Sequence, residues 1–307
     1  MATSARSTQM LQPLLTPWYR VVSDGDRLLL EHGESVVAFE GAAVRSLLPA
    51  LLPLLDGTRS IDDIVGALGE PVREAVVRAA EMLAAHGLLV DGPPAGAPAQ
   101  AVARVVGIAP AEARARLAAA RVAIAGVDNT VISSLLRRAG VERVESYAGN
   151  SDVDLVIGFA GDVDLRELNR ACVEARTPLL PIALFNGRHT LVGPIVVPEI
   201  SACHECVQLR RAANLPFGND FSLIEETSPT AAADPGLQAI AAGLATHLAV
   251  RWLATRDPLL PGTLFAISPL PRPTVAEHPV LRVPRCPVCS PAARMAAPLP
   301  WHAAEAL

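Results

Sequence analysis

The N-terminal part of the chain places short apolar runs between turn residues and then changes to a helical period. From residue 18 to residue 40, "WYRVVSDGDRLLLEHGESVVAFE", the runs are interrupted by "SDGD" and "EHGE", which is typical of three short antiparallel strands. After Gly41, the segments "AAVRSLLPALLPLL", "SIDDIVGAL" and "PVREAVVRAAEMLAAHG" have helical spacing, and Ser60 with Asp63 forms a capping-box pattern. The pattern predicts an α+β domain of element order βββααα over residues 1–91.

A stretch rich in proline, glycine and alanine, "DGPPAGAPAQA" (residues 91–101), follows and has no periodicity, so we place a linker at residues 92–103. Beyond it, the apolar runs "RVAIAG", "VDLVIGFAG" and "PLLPIALF" alternate with helical patterns such as "DLRELNRACVEART". This alternation is typical of a parallel sheet with crossover helices. Residues 104–307 are therefore predicted to form an α/β, Rossmann-like domain.

Composition and charge exclude several classes of function. The formal net charge is −5 and all 26 basic residues are arginine. Without a basic cluster, the chain has no means of neutralising a nucleic-acid backbone. Without lysine, it has no Schiff base and no lysine clamp for phosphate. Since the sequence contains neither a run of about 18 uncharged apolar residues nor a signal-peptide pattern, we expect a cytoplasmic protein that binds neither membrane nor nucleic acid.

Two C-x-x-C pairs account for four of the five cysteines. Cys203 and Cys206 lie in "SACHEC", and Cys286 and Cys289 form "CPVC". Two such pairs can complete a tetrahedral thiolate site for one structural zinc ion. The alternatives are two disulfides, which a reducing cytoplasm disfavours, and a thioredoxin-like redox pair, which leaves the second pair without a role.

The remaining cysteine and the histidine within the first pair carry weaker signals. Cys172, in "LNRACVEART", falls at an apolar helical position, so core packing explains it better than nucleophilic catalysis. His204 is a candidate fifth ligand, but four thiolates already satisfy zinc.

The turn after "RVAIAG" departs from a phosphate-binding loop. A dinucleotide site requires G-x-G-x-x-G here, whereas "GVDNTV" keeps Gly126 and places Asp128 and Val131 at the second and third glycine positions. A carboxylate in a phosphate cradle repels its ligand. The next strand, "RVESYA", is also expected to lack an acidic residue at its end for a ribose hydroxyl. We therefore predict that this chain does not bind ATP.

Several of these segments resemble a known family. "RVAIAG", "SSLLRRAGVERVESY", "DVDLVIGFAG", "LVGPIVVPEISACHECVQL" and the terminal "CPVC" resemble the ThiF-like fold of ubiquitin-activating enzymes. They resemble more closely the ocin-ThiF-like proteins of azoline-forming (TOMM) and thiopeptide pathways. The βββααα unit resembles the PqqD-like recognition element of ribosomally synthesised, modified peptides (RiPPs), which is a winged-helix module. Together the resemblances cover nearly the whole chain, and the glycine turn conforms least.

The resemblance implies a non-catalytic scaffold that binds the leader of a ribosomal precursor peptide. The scaffold would present the core of that peptide to a separate YcaO cyclodehydratase, which uses ATP to form thiazolines or oxazolines. The fold also implies a homodimer through the second domain. One alternative is a standalone ATP-dependent adenylating enzyme with arginine in place of lysine, although residues 221–236 contain no thioester cysteine. A zinc-stabilised DNA-contacting protein is another, disfavoured by Glu74 and Glu81 on its recognition helix.

A sheet edge is the predicted docking site for the leader. The last strand, "SVVAFE", can accept an extended peptide through main-chain hydrogen bonds. The helix "PVREAVVRAAEMLAAHG" is predicted to turn Val72, Ala75, Val76, Ala79 and Leu83 inward. This leaves a surplus apolar stripe, either for leader side chains or for packing on the second domain. Arg73 is placed to pair with a leader carboxylate. The predicted peptide-binding residues are Ser35, Val36, Val37, Ala38, Phe39, Arg73, Val77, Ala80 and Ala84.

Overall fold

The computed structural model describes residues 12–15, 20–32, 35–92, 110–126, 130–149, 152–183, 185–216, 218–226 and 234–290. The chain forms two compact units, Met1–Ala115 and Arg116–Leu307. The division falls within the helix Pro110–Ala119. The predicted linker, residues 92–103, lies outside the described residues except for Gly92, so the proposed boundaries stay a prediction.

The first unit contains two small antiparallel sheets. Its strands are β1 (Pro13–Leu15), β2 (Arg20–Asp24), β3 (Arg27–His32), β4 (Ser35–Glu40) and β5 (Leu89–Asp91). Strands β2, β3 and β4 form the predicted three-stranded meander. Strands β1 and β5 pair with each other, and this pair was not predicted from the sequence. Each strand has only three residues, too few to show an alternating pattern. Their pairing also joins distant parts of the chain.

The helices of the first unit are α1 (Ala42–Ser46), α2 (Leu48–Leu51), α3 (Ile61–Leu68) and α4 (Arg73–Ala85), with 3-10 turns at Leu52–Leu54 and Glu70–Val72. The segment after Gly41 forms short pieces because Pro49 and Pro53 lack the N–H that a longer helix needs. The predicted capping box is confirmed. The Asp63 N–H donates to Ser60 Oγ (3.1 Å) and the Ser60 N–H donates to Asp63 Oδ2 (2.9 Å). One apolar core contains buried side chains from β3, β4 and all four helices.

The second unit contains a seven-stranded sheet in the order β12-β11-β10-β9-β8-β6-β7. Its strands are β6 (Arg121–Ala125), β7 (Arg143–Ser146), β8 (Leu155–Phe159), β9 (Leu179–Ala183), β10 (Thr190–Val192), β11 (Thr263–Ser268) and β12 (Thr274–Pro279). Strands β7, β6, β8 and β9 are parallel, which confirms the predicted sheet. Strands β10, β11 and β12 extend it antiparallel.

The helices of the second unit follow the crossover pattern. They are α5 (Pro110–Ala119, which spans the division), α6 (Thr130–Arg138), α7 (Leu165–Glu174), α8 (His204–Asn214), α9 (Phe221–Glu226) and α10 (Pro235–Thr255), with a 3-10 turn at Gly218–Asp220. Helix α10 is capped by Asp234, which accepts from the Leu237 N–H (3.1 Å). Among the described helices, none combines the length and apolar character needed to cross a membrane.

Candidate metal centre and peptide-binding edge

The first cysteine pair lies at the start of α8. Cys203 is the N-cap residue, with extended backbone (φ −86°, ψ 172°), and Cys206 is one turn into the helix. This change from extended chain to helix turns both side chains to one side, and their Sγ atoms are 3.9 Å apart. Both residues are buried. The helix start therefore forms one half of a site.

The second pair lies in a tight turn after β12. The Cys286 N–H donates to the Val283 carbonyl (3.0 Å), and the Arg282 guanidinium donates to the carbonyls of Glu199 (2.8 Å) and Cys289. Arg210 on α8 donates to the Leu281 carbonyl (2.7 Å). These arginine contacts hold the turn against the helix that carries the first pair.

The four Sγ atoms of Cys203, Cys206, Cys286 and Cys289 all lie within 4.8 Å of one another. Sulfur atoms of the two pairs are 3.6 Å apart (Cys203 to Cys286) and 3.5 Å apart (Cys206 to Cys289). A tetrahedral ion with metal–sulfur bonds of about 2.3 Å has sulfur–sulfur edges of about 3.8 Å. All four cysteines are free thiols rather than disulfides. The site can therefore hold a metal ion such as zinc.

The surroundings of Cys206 favour the thiolate form that metal binding needs. Hydrogen bonds from the thiols of Cys203 and Cys286 lower the pKa of Cys206, and the same contact raises the pKa of Cys203. The Val283 N–H lies 3.3 Å from the Cys206 sulfur. Cys172 shares the apolar core with Cys203, Cys206 and Cys286, but it is outside the sulfur cluster, and burial raises the pKa of its thiol to about 12. The prediction that Cys172 packs in the core is confirmed.

His204 is buried beside the site, but it is outside the cluster of candidate ligands found among the described residues. Its Nε2 accepts from the Gln208 amide (3.0 Å). Burial lowers the pKa of His204 to about 4, so the ring is neutral at pH 7. The structure gives His204 a place in a hydrogen-bonded cluster rather than that of a fifth ligand.

The glycine turn lies at the carboxyl end of β6, where the strand order reverses. Gly126 has φ +133°, and a Cβ atom there would lie 3.0 Å from Asp162 Oδ2. Asp128 lies outside the described residues. Val131 is on α6 and half exposed. One expectation was wrong: β7 ends with Glu145 and Ser146, so an acidic residue does stand at this strand end.

A cleft of about 450 Å³ runs between α6 and β7. Arg137 on its wall donates to the Val144 carbonyl (3.1 Å). The cleft is lined by Thr130, Ser133, Ser134, Arg137, Arg138, Val144, Glu145 and Ser146. No local pattern in the sequence marks this cleft, because the sheet order that leaves β7 at an edge is a long-range feature.

The predicted leader-binding strand lies at a sheet edge. In the order β2-β3-β4, the described residues of β4 pair with β3 alone. Successive side chains alternate: Val37 and Phe39 pack on the core, whereas Val36 is 57% exposed and Ala38 is exposed. The Phe39 ring meets His86, at the end of α4, edge to face with centroids 5.8 Å apart.

The predicted residues on α4 divide into three environments. Val77 is 38% exposed, whereas Ala80 and Ala84 are half-buried and pack against the core. Ala75 is exposed, so the prediction that it faces inward was wrong; its Cβ points to the polar side of the helix. Arg73 pairs with Glu70 (2.5 Å) and Asp62 (2.6 Å) at the surface.

No family model matches the sequence, and no curated protein is significantly similar to it. Solved structures share the fold. A heterocyclase in complex with substrate and cofactor has a TM-score of 0.70 at 22% identity, covering 94% of this chain and 41% of its own. The heterocyclase TruD has a TM-score of 0.69 at 21% identity, covering 91% of this chain and 43% of its own. MccB from E. coli has a TM-score of 0.58 at 15% identity, covering 91% of this chain and 96% of its own.

These similarities show that the chain shares its fold with two solved heterocyclases and with MccB, in agreement with the α/β fold that the ThiF-like resemblance implies. The chain spans 41% and 43% of the two heterocyclases. The winged-helix assignment of the first unit stays a prediction.

Proposed function

We propose that this protein is a non-catalytic leader-binding subunit in RiPP biosynthesis, which presents a precursor peptide to a separate YcaO cyclodehydratase. The observation that carries the proposal is the shared fold, which covers 94% of this chain in a heterocyclase solved with its substrate and cofactor and 90% in MccB solved with MccA. The edge of β4 in the three-stranded sheet offers a surface for a peptide. In this proposal the partner cyclodehydratase performs the ATP-dependent formation of thiazolines or oxazolines.

The rival function is ATP-dependent activation of a peptide by this chain alone, and the match to nearly the full length of MccB favours it. The glycine turn argues against it. A phosphate at the Gly126 backbone would lie beside the Asp162 carboxylate, and like charges repel. The sequence has no lysine to offset that charge. Absence of ATP binding by the isolated chain therefore belongs to the proposal.

We further propose that the four cysteines bind one structural zinc ion. Four thiolates leave no open coordination position, so the ion would stabilise the fold rather than catalyse a reaction. It would join α8 to the turn after β12. This role is compatible with a scaffold, which needs a rigid second unit and no chemistry of its own.

The main-chain register supports the free edge of β4 as the leader site. Asp24 and Arg27 flank a two-residue turn and are register partners, and the residues that flank such a turn exchange hydrogen bonds. The N–H and C=O of Arg27 therefore point toward β2. Arg27 is opposite Glu40, so these two residues form a non-hydrogen-bonded pair. Hydrogen-bonded and non-hydrogen-bonded pairs alternate along the strand, so the N–H and C=O groups of Val36, Ala38 and Glu40 point away from β3. Among the described residues, no other strand pairs with these groups, so an added strand could pair with them.

Side chains on β4 and α4 would supply specificity. Val36 and Val77 are large apolar residues with exposed surface, which a leader could bury. Ser35 lies at the start of β4, and Val37 and Phe39 fix the strand on the core. Ala80 and Ala84 would form the floor of the groove on α4. Arg73 would have to exchange Glu70 and Asp62 for a leader carboxylate, a small change because those pairs are exposed.

Two proline substitutions test the edge directly. Ala38→Pro removes an N–H that points away from β3, and proline is tolerated at sheet edges. Val21→Pro is the matched control, because it removes an N–H that points away from β3 on the opposite edge strand, β2. The probe is a fluorescein-labelled peptide with the N-terminal half of any short open reading frame found beside this gene, and its binding is measured by fluorescence polarisation. Ala38→Pro should weaken binding about fivefold or more, since one hydrogen bond contributes about 1 kcal/mol.

Val21→Pro should bind like the wild type. If both variants bind like the wild type with intact circular dichroism, the leader does not add to β4. If neither variant nor the wild type binds any leader, the scaffold function itself is wrong.

A further inference from the structure

The first turn of α8 has two requirements that one residue cannot meet. The first amides of any helix lack partners within the helix, and an N-cap side chain usually accepts from them. The N-cap residue here is Cys203, and its side chain makes no capping hydrogen bond. Its sulfur instead lies 3.6 Å from Cys286 Sγ. A cysteine that faces a metal site cannot also cap its own helix.

A residue from a different helix supplies the missing cap. Asn169, on α7, is fully buried, and its Oδ1 accepts from the N–H of His204 (2.9 Å), the first residue of α8. Three residues before Asn169, Arg166 lies 3.8 Å from Glu205, and both of these side chains are largely buried. Helix α7 therefore holds the start of α8 at two adjacent points.

The side-chain amide of Asn169 lowers the stability of the fold at this position. Among the described residues, its Nδ2 has no hydrogen-bond partner although it is buried, and an unpartnered buried donor destabilises a fold. An apolar side chain of similar size would avoid that cost. What the amide adds is the acceptor for His204, which lies next to Cys203.

We propose that Asn169 is a positioning residue for the four-cysteine site: by capping α8 in place of Cys203, it holds the Cys203–Cys206 half in the geometry that binds metal. The inference rests on the proposed metal site. Further along α8, the Gln208 side chain donates to His204 (3.0 Å) and accepts from Arg211 (3.1 Å).

The test compares metal affinity in full-length variants. Asn169→Leu removes the acceptor at similar volume, and Asn169→Asp retains it. Thr246→Val is the matched control, because it removes a different buried hydrogen bond of this unit, from Thr246 Oγ1 to the Ala242 carbonyl (2.8 Å). Zinc affinity is measured by chelator competition, and the tetrahedral thiolate spectrum is followed with cobalt(II).

We expect Asn169→Leu to bind zinc about 10- to 100-fold more weakly, the usual effect of losing a residue that orients a ligand. The zinc affinity of Asn169→Asp should be closer to that of the wild type, and the zinc affinity of Thr246→Val should equal it. If Asn169→Leu does not fold, Asn169→Ser, whose side chain is one atom shorter, carries the same expectation.

Equal affinity for Asn169→Leu and the wild type would overturn the role of Asn169, as would an equal loss in Thr246→Val. A wild-type protein that takes up no zinc would instead overturn the metal site, and this inference with it. Leader binding should be unchanged in every variant, which separates these outcomes from a failure of the scaffold function.

Discussion

Single side chains decide which cysteines can bind metal. Cys206 and Cys172 are both buried in the second unit. The sulfur of Cys206 has Cys289 Sγ at 3.5 Å and a main-chain N–H at 3.3 Å. Cys172 lies among apolar side chains, and burial raises the pKa of its thiol. Both cysteines belong to one apolar core, so the three other sulfur atoms around Cys206 are what separate the metal site from core packing.

Replacing Cys206 by serine should weaken zinc binding strongly, because only three thiolates remain and water must take the fourth position. Cys172→Ala is the control and should retain one zinc per chain. Metal content is measured on purified protein by inductively coupled plasma mass spectrometry. Cys206→Ser should also lower the melting temperature, since metal binding contributes folding free energy. Well under one equivalent of zinc in the wild type would contradict the prediction.

Two exposed residues on one helix provide a second comparison. Val77 and Met82 on α4 have nearly equal exposed fractions, 38% and 37%. Five residues of helix place their side chains about 140° apart. Val77→Glu should reduce leader affinity by about 1 to 3 kcal/mol, the range for an anchor residue, whereas Met82→Glu should have no effect. Equal binding by both variants in fluorescence polarisation would place the leader elsewhere.

At the level of secondary structure, local signals act where their partners are close in sequence. The capping box of α3 joins Ser60 and Asp63, which are three positions apart, and the sequence analysis located it. The two prolines after Gly41 divide that segment into short helices for an equally local reason. The pair formed by β1 and β5 lacks such a signal, because residues 13–15 meet residues 89–91.

Removing the cap should destabilise α3 selectively. Ser60→Ala should cost about 1 kcal/mol, seen as roughly fivefold faster amide hydrogen exchange in α3; Ser23→Ala, on exposed β2, should change nothing there. Hydrogen bonds from Ser60 lower the pKa of Asp63 below its ordinary 3.8. That stabilisation is present above pH 3.8 and is lost as pH falls through the lower folded value. The difference between the two proteins should therefore narrow in acid to the part that comes from the Asp63 N–H bond to Ser60 Oγ, which does not titrate. A constant difference down to pH 2 would refute this coupling.

At the level of the whole molecule, the two compact units separate two proposed functions. The first, Met1–Ala115, contains the β4 edge, and the second, Arg116–Leu307, contains the four cysteines and the glycine turn. Because the two sites lie in different units, a substitution in one site should leave the other site unaffected. The changes in free energy from two such distant substitutions should add.

The isolated protein should show no ATP binding by calorimetry and no pyrophosphate exchange with precursor peptide. Phosphate charge must be met by amides, cations or metal, and Asp162 stands beside the Gly126 turn. MccB, which has been solved with AMPCPP, is the positive control. ATP consumption should appear only after a YcaO cyclodehydratase is added. Micromolar ATP binding by this chain alone would favour the adenylating enzyme instead.

The sequence by itself determined the features whose cause is local. Periodicity gave the three-stranded meander, the parallel strands and their helices, and the spacing of the two cysteine pairs was enough to predict the four-thiolate cluster. Each of these depends on residues a few positions apart or on side-chain chemistry that few arrangements can satisfy.

The tertiary structure alone decided which distant segments meet. It placed β10, β11 and β12 antiparallel beyond β9, brought Asp162 against Gly126, and set Asn169 under the first turn of α8. It also left Ala75 exposed and paired Arg73 with Asp62. No local pattern encodes such contacts, because their geometry follows from how the whole sheet and its helices pack rather than from the residues on either side.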